Sequence, residues 1–256
     1  MISRQTNYLK GAITKMKRLF ASVISCVLIL SMICSGLTVF ATTITGAVDT
    51  DNFVRGVDVS TLDMLEDLGA RYYQNNVESD ALTILKNNGA NYVRLKLWVD
   101  PYDENGNPYG GGNNDYATTL ALARRAKNLG MGVLIDFHLS DFWTDPANQI
   151  KPKAWKDLSY SELKTTLYNY MKDTLNNFAA AGIVPEMVQV GNEISTGILH
   201  DDGKVGNGNE DFSNLAGLLE SAIAGVRASS ASNTKSSCIW IWEVRTLSIH
   251  GSLADC

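Results

Sequence analysis

The chain has 256 residues, 45% of them apolar and 19% charged, with a formal net charge of -5. This balance supports a folded core and argues against a largely disordered chain. It offers no basic surface to neutralise phosphates, so no nucleic acid partner is expected, while uncharged polymers stay open.

Lys10, Lys15, Lys17 and Arg18 precede an uncharged run from Leu19 to Val48, and Val39-Phe40-Ala41 ends on the small residue that signal peptidase requires. Residues 1–41 are therefore read as a signal peptide, which makes the mature protein secreted and extracellular. Met16-Lys17-Arg18 is a more typical start for such a signal than Met1. The run is also long enough to span a bilayer, so an uncleaved signal anchor is the alternative and the one membrane contact expected. Ile33 before Cys34 is too bulky for lipoprotein processing. Cys26 and Cys34 fall in this segment, Cys238 and Cys256 lie near the C-terminus, and the body between holds none, which excludes a disulfide framework there. The three histidines, His138, His200 and His250, form no cluster of zinc-site spacing with cysteine.

From Arg55 onward, β-type runs alternate with helical patterns, the signature of parallel βαβ units. The first strand spans 55–59, and after a long loop a helix over about 79–88 carries Ala81, Leu82, Ile84 and Leu85 on one face. The second strand, 91–99, alternates: Val93, Leu95 and Leu97 point one way, Tyr92, Arg94, Lys96 and Trp98 the other. Its helix starts at Asp115 as N-cap and ends at Gly130. In the third strand, 131–138, Val133, Ile135 and Phe137 oppose Leu134, Asp136 and His138. Ser159 and Glu162 form a capping box that opens the third helix, carrying Leu163, Leu167, Tyr170, Met171 and Phe178 to Gly182. The fourth strand spans 187–191, and its helix over about 213–228 buries Leu215, Leu218, Leu219, Ala222 and Val226.

Loops after helices are short, whereas loops after strands are long and carry the Trp, Tyr, Asn and Asp content. In (β/α) folds the active site lies at the C-terminal ends of the strands, where long loops serve a polymer-binding enzyme. The expected fold is α/β, of the (β/α)8 TIM barrel family, here truncated to about the first four βα units. Residues 42–235 are read as the N-terminal half of that barrel. After Asn233-Thr234-Lys235 the sequence changes character to Ser236-Ser237-Cys238-Ile239-Trp240-Ile241-Trp242-Glu243. Residues 236–256 are read as an aberrant, frameshifted tail, with an unusual terminal strand as the alternative. Asp103-Glu104-Asn105-Gly106-Asn107 is read as a turn and not a calcium loop, because Pro108 stands where glycine is needed and no glutamate closes the loop.

The strongest local signal is Gln189-Val190-Gly191-Asn192-Glu193, an apolar strand ending in an amide and a carboxylic acid. If Gln189, Gly191 and Glu193 share the inward face, the carboxyl group projects over the top of the barrel. Glycoside hydrolysis needs such an acid to protonate the leaving oxygen, and a second carboxylate to attack or to activate water. Asn192 can bond the sugar hydroxyl beside the scissile bond. The competing reading is that Asn192-Glu193 caps the next helix.

Arg55-Gly56-Val57-Asp58-Val59-Ser60, Tyr92-Val93-Arg94-Leu95-Lys96-Leu97-Trp98, Asp136-Phe137-His138-Leu139-Ser140-Asp141-Phe142-Trp143-Thr144-Asp145-Pro146 and Gly191-Asn192-Glu193-Ile194 resemble the successive strand ends of family 53 glycoside hydrolases. The resemblance covers about residues 53–235. It implies a retaining endo-β-1,4-galactanase acting on the galactan polysaccharide of pectic arabinogalactan; a monomer is expected, and the residues themselves suggest no cofactor or metal. It also implies that Glu193 is the general acid/base and that Arg94 orients a carboxylate. Asp136 and His138 would line the cleft floor with Asp58, Trp98 and Trp143 would stack on sugars, and Asp141 would bond a sugar hydroxyl. Each has a competing structural reading: an ion pair for Arg94, a core position for His138, Asp58 and the tryptophans, a loop cap for Asp141. Leu139 stands where the family usually has Tyr, which alters one sugar contact. The family's nucleophile is a second glutamate after a seventh strand, and nothing around Glu243 resembles it, so this polypeptide is expected to have little or no activity alone. Another β-glycanase of the same clan, a mannanase or endoglucanase, and a non-catalytic carbohydrate-binding remnant are the alternatives.

Overall fold

A computed structural model of the chain describes residues 53–206, 208, 210–233 and 238–240. From Val54 onward they belong to the compact unit Val54–Cys256. The signal assigned to residues 1–41 lies outside the described residues, as does the tail after Trp240.

The elements, in chain order, are β1 (Gly56–Asp58), α1 (Leu62–Asp67), the strands β2 (Tyr73–Gln74) and β3 (Val77–Glu78), α2 (Ala81–Asn87), β4 (Tyr92–Leu97) and α3 (Tyr116–Asn128). Then follow β5 (Gly132–Phe137), α4 (Tyr160–Ala180), β6 (Met187–Val190), β7 (Gly197–Ile198), β8 (Gly203–Lys204), α5 (Ser213–Arg227) and β9 (Cys238–Trp240). The main sheet has the order β1-β4-β5-β6-β9, and every pair in it is parallel. Each strand joins the edge left by the one before it, without the reversal of order that marks a doubly wound sheet. That progression is the one a TIM-barrel-type α/β fold requires.

Local chemistry explains where the helices begin. Asp80 accepts a hydrogen bond from Thr83 N at 2.7 Å and Asp115 one from Thr118 N at 2.8 Å, while Ser159 and Glu162 complete the expected capping box. α1 lies in what reads as a loop; its six residues bury Leu62 alone, too short a run for a periodic pattern.

The faces divide as alternation predicts. Val93, Leu95 and Leu97 of β4, Val133, Ile135 and Phe137 of β5, and Val188 and Val190 of β6 are buried in one core with the apolar stripes of α3, α4 and α5. Phe137 meets Tyr170 of α4 edge-on at 5.9 Å, and burial of each such side chain contributes about 1.5–3 kcal/mol. α4 and α5 approach closely at Gly225, where a Cβ would come within 2.4 Å of the Tyr168 carbonyl oxygen. The polar residues of the opposite faces of β1, β4, β5 and β6 make up the candidate site.

The residues after 235, read as an aberrant tail with an unusual terminal strand as the alternative, include one strand: Cys238–Trp240 pairs with β6 in register, Met187 with Cys238, Val188 with Ile239 and Gln189 with Trp240. Ile239 and Trp240 are strand-favouring, and an exposed parallel edge accepts such a run. The described sheet therefore holds one strand more than the four units expected.

Candidate active site

Arg94 is the hub of the polar face. Its Nη1 lies 2.6 Å from Asp58 Oδ2, its Nη2 lies 2.6 Å from Asp136 Oδ2 and donates to Asn192 Oδ1 at 2.8 Å, and its Nε donates to Gln189 Oε1 at 3.2 Å. One guanidinium thus ties together β1, β5 and β6 and the loop after β6, which its rigid fork of five N–H donors allows. The pairing register explains the convergence: Asp58 opposes Arg94, Lys96 opposes Asp136, and Asp136 opposes Gln189.

Asp58 also receives Lys96 Nζ at 2.9 Å and the Ser60 hydroxyl at 2.7 Å. Burial is the largest single influence on Asp58 and pushes its pKa up, but hydrogen bonds from Lys96 and Ser60, with the charge of Lys96, together hold it below the ordinary carboxylate value. Asp136 is wholly buried, with Arg94 Nη2 at 2.6 Å and His138 Nε2 at 2.9 Å from the same oxygen. These contacts are close but misaligned for hydrogen bonding, so Asp136 is held chiefly by charge.

The tautomer of His138 follows from its other nitrogen. The Thr144 backbone N–H can only donate, and it points to Nδ1 at 3.1 Å, leaving the ring proton on Nε2 toward Asp136. Thr144 also joins His138 to Asn192, whose Nδ2 donates to Thr144 O at 2.7 Å. With Arg94 on Oδ1, Asn192 keeps one Nδ2 hydrogen for another acceptor.

The strand alternation that would have put Gln189, Gly191 and Glu193 on one face stops at Val190. Gly191 has φ of +80°, where a Cβ would meet Ile194 Cγ2 at 2.6 Å, and Glu193 has φ of +51°. Gln189 and Asn192 are the residues that reach Arg94, and Glu193 stands after the left-handed turn. It is half-buried, and among the described residues its carboxyl group makes no hydrogen bond or ion pair. It does not cap a helix by its side chain, since Ile194–Thr196 receives no such bond from it.

One expected sugar contact, Trp98, is corrected. Trp98 is 1% exposed, packed 4.9 Å from Phe142 and 6.2 Å from His138, so no face of it is left for a ligand. Asp141 accepts backbone amides, Asp100 N on Oδ1 at 3.1 Å and Lys153 N on Oδ2 at 2.8 Å, and so braces two loops while lining the same cleft as Trp143. Trp143 is 43% exposed and rests 5.8 Å from His138, with Lys96 Nζ 4.9 Å from its ring centre. It opens onto a cleft of about 690 Å3 lined further by Tyr109, Phe142, Asn148 and Ile150.

Sequence reasoning did not assign Lys96, Thr144 or Gln149 to the site. Lys96 shares a strand face with Arg94 and was legible there; Thr144 and Gln149 sit in an irregular loop where no periodicity points. Among the described residues no group of three His, Cys, Asp or Glu side chains converges to hold a metal ion. No helix among them is long and apolar enough to cross a membrane.

Comparison with known proteins places this geometry. A family profile described as glycosyl hydrolase family 53 matches residues 54–242. The chain is similar to an endo-β-1,4-galactanase of Bacillus subtilis, 48% identical over 147 residues, covering 57% of this chain and 34% of that protein. It is similar to arabinogalactan endo-β-1,4-galactanase A of Aspergillus niger, 40% identical over 195 residues, covering 74% and 52%. Among solved structures, the Ignisphaera aggregans GH53 catalytic domain superposes with a TM-score of 0.69 at 46% identity, covering 76% of this chain and 52% of that one. A fungal β-1,4-galactanase gives 0.65 at 39%, covering 73% and 53%. The chain thus spans about a third to a half of the length of these relatives. A match over this much of the chain settles its membership: it belongs to glycosyl hydrolase family 53.

Proposed function

We propose that the chain forms part of a secreted, monomeric endo-β-1,4-galactanase that cleaves pectic galactan with retention, and that Glu193 is its general acid/base. The observation that carries this reading is a glutamate whose carboxyl group has no hydrogen-bond or ion-pair partner among the described residues, set beside a buried network of Arg94, Asp136, His138 and Asn192 at the C-terminal ends of parallel strands. Relatives named as galactanases support the substrate.

In the first step a carboxylate attacks the anomeric carbon while Glu193 gives its proton to the departing glycosidic oxygen. In the second, Glu193 takes a proton from water, whose oxygen displaces the carboxylate and restores the configuration. Retention needs the two carboxyl groups about 5 Å apart. By the resemblance to family 53 the nucleophile is a second glutamate after a seventh strand of the barrel, and the main sheet among the described residues holds five strands. Asn192, pinned at both ends of its amide, offers its spare hydrogen to a sugar hydroxyl, and Trp143 offers an exposed ring face. We further infer that the signal at residues 1–41 directs export and that this polypeptide alone has little or no activity.

Binding to galactan, mannan and cellulose, with reducing-end release from each, tests the reading. Binding to galactan in preference to mannan and cellulose, with little or no release by this polypeptide alone, is the expected result; measurable release that Glu193→Gln matches, or preference for mannan or cellulose, contradicts it.

A further inference from the structure

Gln149 lies in the loop between β5 and α4, is 2% exposed, and is remote in sequence from Glu193. Its Nε2 donates to Asn192 O at 2.8 Å and to Asp145 O at 3.1 Å, and comes within 3.4 Å of Glu193 O. All three neighbours are carbonyl oxygens, so the nitrogen of the amide must face them. The Gln149 backbone carbonyl accepts from His200 N at 2.7 Å, which fixes the same residue to the chain beyond β7.

The turn it grips is a costly one. Glu193 holds φ of +51° and ψ of +49°, a left-handed conformation that a side chain bearing a Cβ adopts only when its surroundings enforce it. Two carbonyls in succession are tied to one buried amide, and Thr144 secures the Asn192 side chain next to them.

We propose that Gln149 is a positioning residue for the acid/base: its side-chain amide holds the Asn192–Glu193 turn left-handed and so sets where the Glu193 carboxyl group stands over the strand ends. Gln149 touches no reacting atom and acts through the backbone of Glu193. The proposal rests on the reading of Glu193 as proton donor, yet its test is a folding and spectroscopic one, so failure of either can be told from failure of the other.

A double-mutant cycle provides it. Glu193→Gly relieves the left-handed strain and is expected to raise the melting temperature of the native chain by about 2 °C. In a Gln149→Met background, where the amide is gone and the turn is free to relax, that gain is expected to vanish. Gln149→Asn, which withdraws the amide by one methylene, is expected to lose part of the gain and serves if the first variant does not fold. A role in loop packing alone would lower stability without changing the effect of Glu193→Gly. The second readout is the Glu193 Cα and Cβ resonances, expected to move toward values for negative φ in Gln149→Met. An undiminished gain in the variant backgrounds, no gain in the native chain, or unmoved Glu193 resonances would overturn the proposal.

Discussion

Arg94 and Asp136 are bound to each other by a 2.6 Å contact in which the aspartate has no exposed surface at all. A carboxylate withdrawn from water in this way is tolerated because Arg94, whose side chain is 28% exposed, answers it and hands its remaining donors to Asp58, Gln189 and Asn192. Removing the cation leaves the carboxylate buried with only an imidazole beside it. Arg94→Met is expected to destabilise the fold by about 3–5 kcal/mol in urea denaturation. Arg94→Lys, which keeps the charge but not the fork, is expected to recover part of that loss.

Asp58 ties stability to pH. Its folded pKa is depressed below the ordinary 3.8, because Lys96 and Ser60 outweigh the opposing effect of burial. A depressed carboxylate contributes stability that is fully present above its unfolded value and is lost as pH falls through the folded one. Urea midpoints are expected to hold level down to about pH 5 and then fall, and Lys96→Met is expected to reduce the contribution that Asp58 makes to this fall.

The two tryptophans that the motifs put side by side are expected to behave oppositely. Trp98 is 1% exposed and Trp143 43%. Trp98→Ala is expected to cost about 3–5 kcal/mol of stability by opening a cavity. Trp143→Ala is expected to leave stability nearly unchanged and to weaken binding of a β-1,4-galacto-oligosaccharide about tenfold, equivalent to ~1.4 kcal/mol. Thermal melts and calorimetric titration of both variants separate the two roles.

Much of this arrangement was legible in the chain. Alternation along Tyr92–Leu97 put Arg94 and Lys96 on one face and Val93, Leu95 and Leu97 on the other, as packing confirms. Asp115, Ser159 and Glu162 announced their helices because a cap is a local bond between near neighbours. Period-two alternation fails at Gly191 and Glu193, where left-handed residues end it, and it says nothing of Asp141, whose partners Asp100 and Lys153 come from distant loops. Burial of Trp98 depended on Phe142 folding over it, a contact no spacing rule encodes. β9 was legible only as the alternative to an aberrant tail, because its three residues differ in character from what precedes them, whereas its place is set by the open edge of β6.

The most direct test of Glu193 needs no turnover. A β-galactobioside carrying an ω-epoxyalkyl aglycone delivers an electrophile to the carboxyl groups lining a galactoside site: a carboxylate oxygen opens the epoxide, forms an ester, and leaves an alcohol once the ring oxygen is protonated. Peptide mass spectrometry is expected to find that ester on Glu193, suppressed by excess galactotriose and unaffected by mannotriose. An unlabelled Glu193, or labelling there that galactotriose does not suppress, would contradict the account.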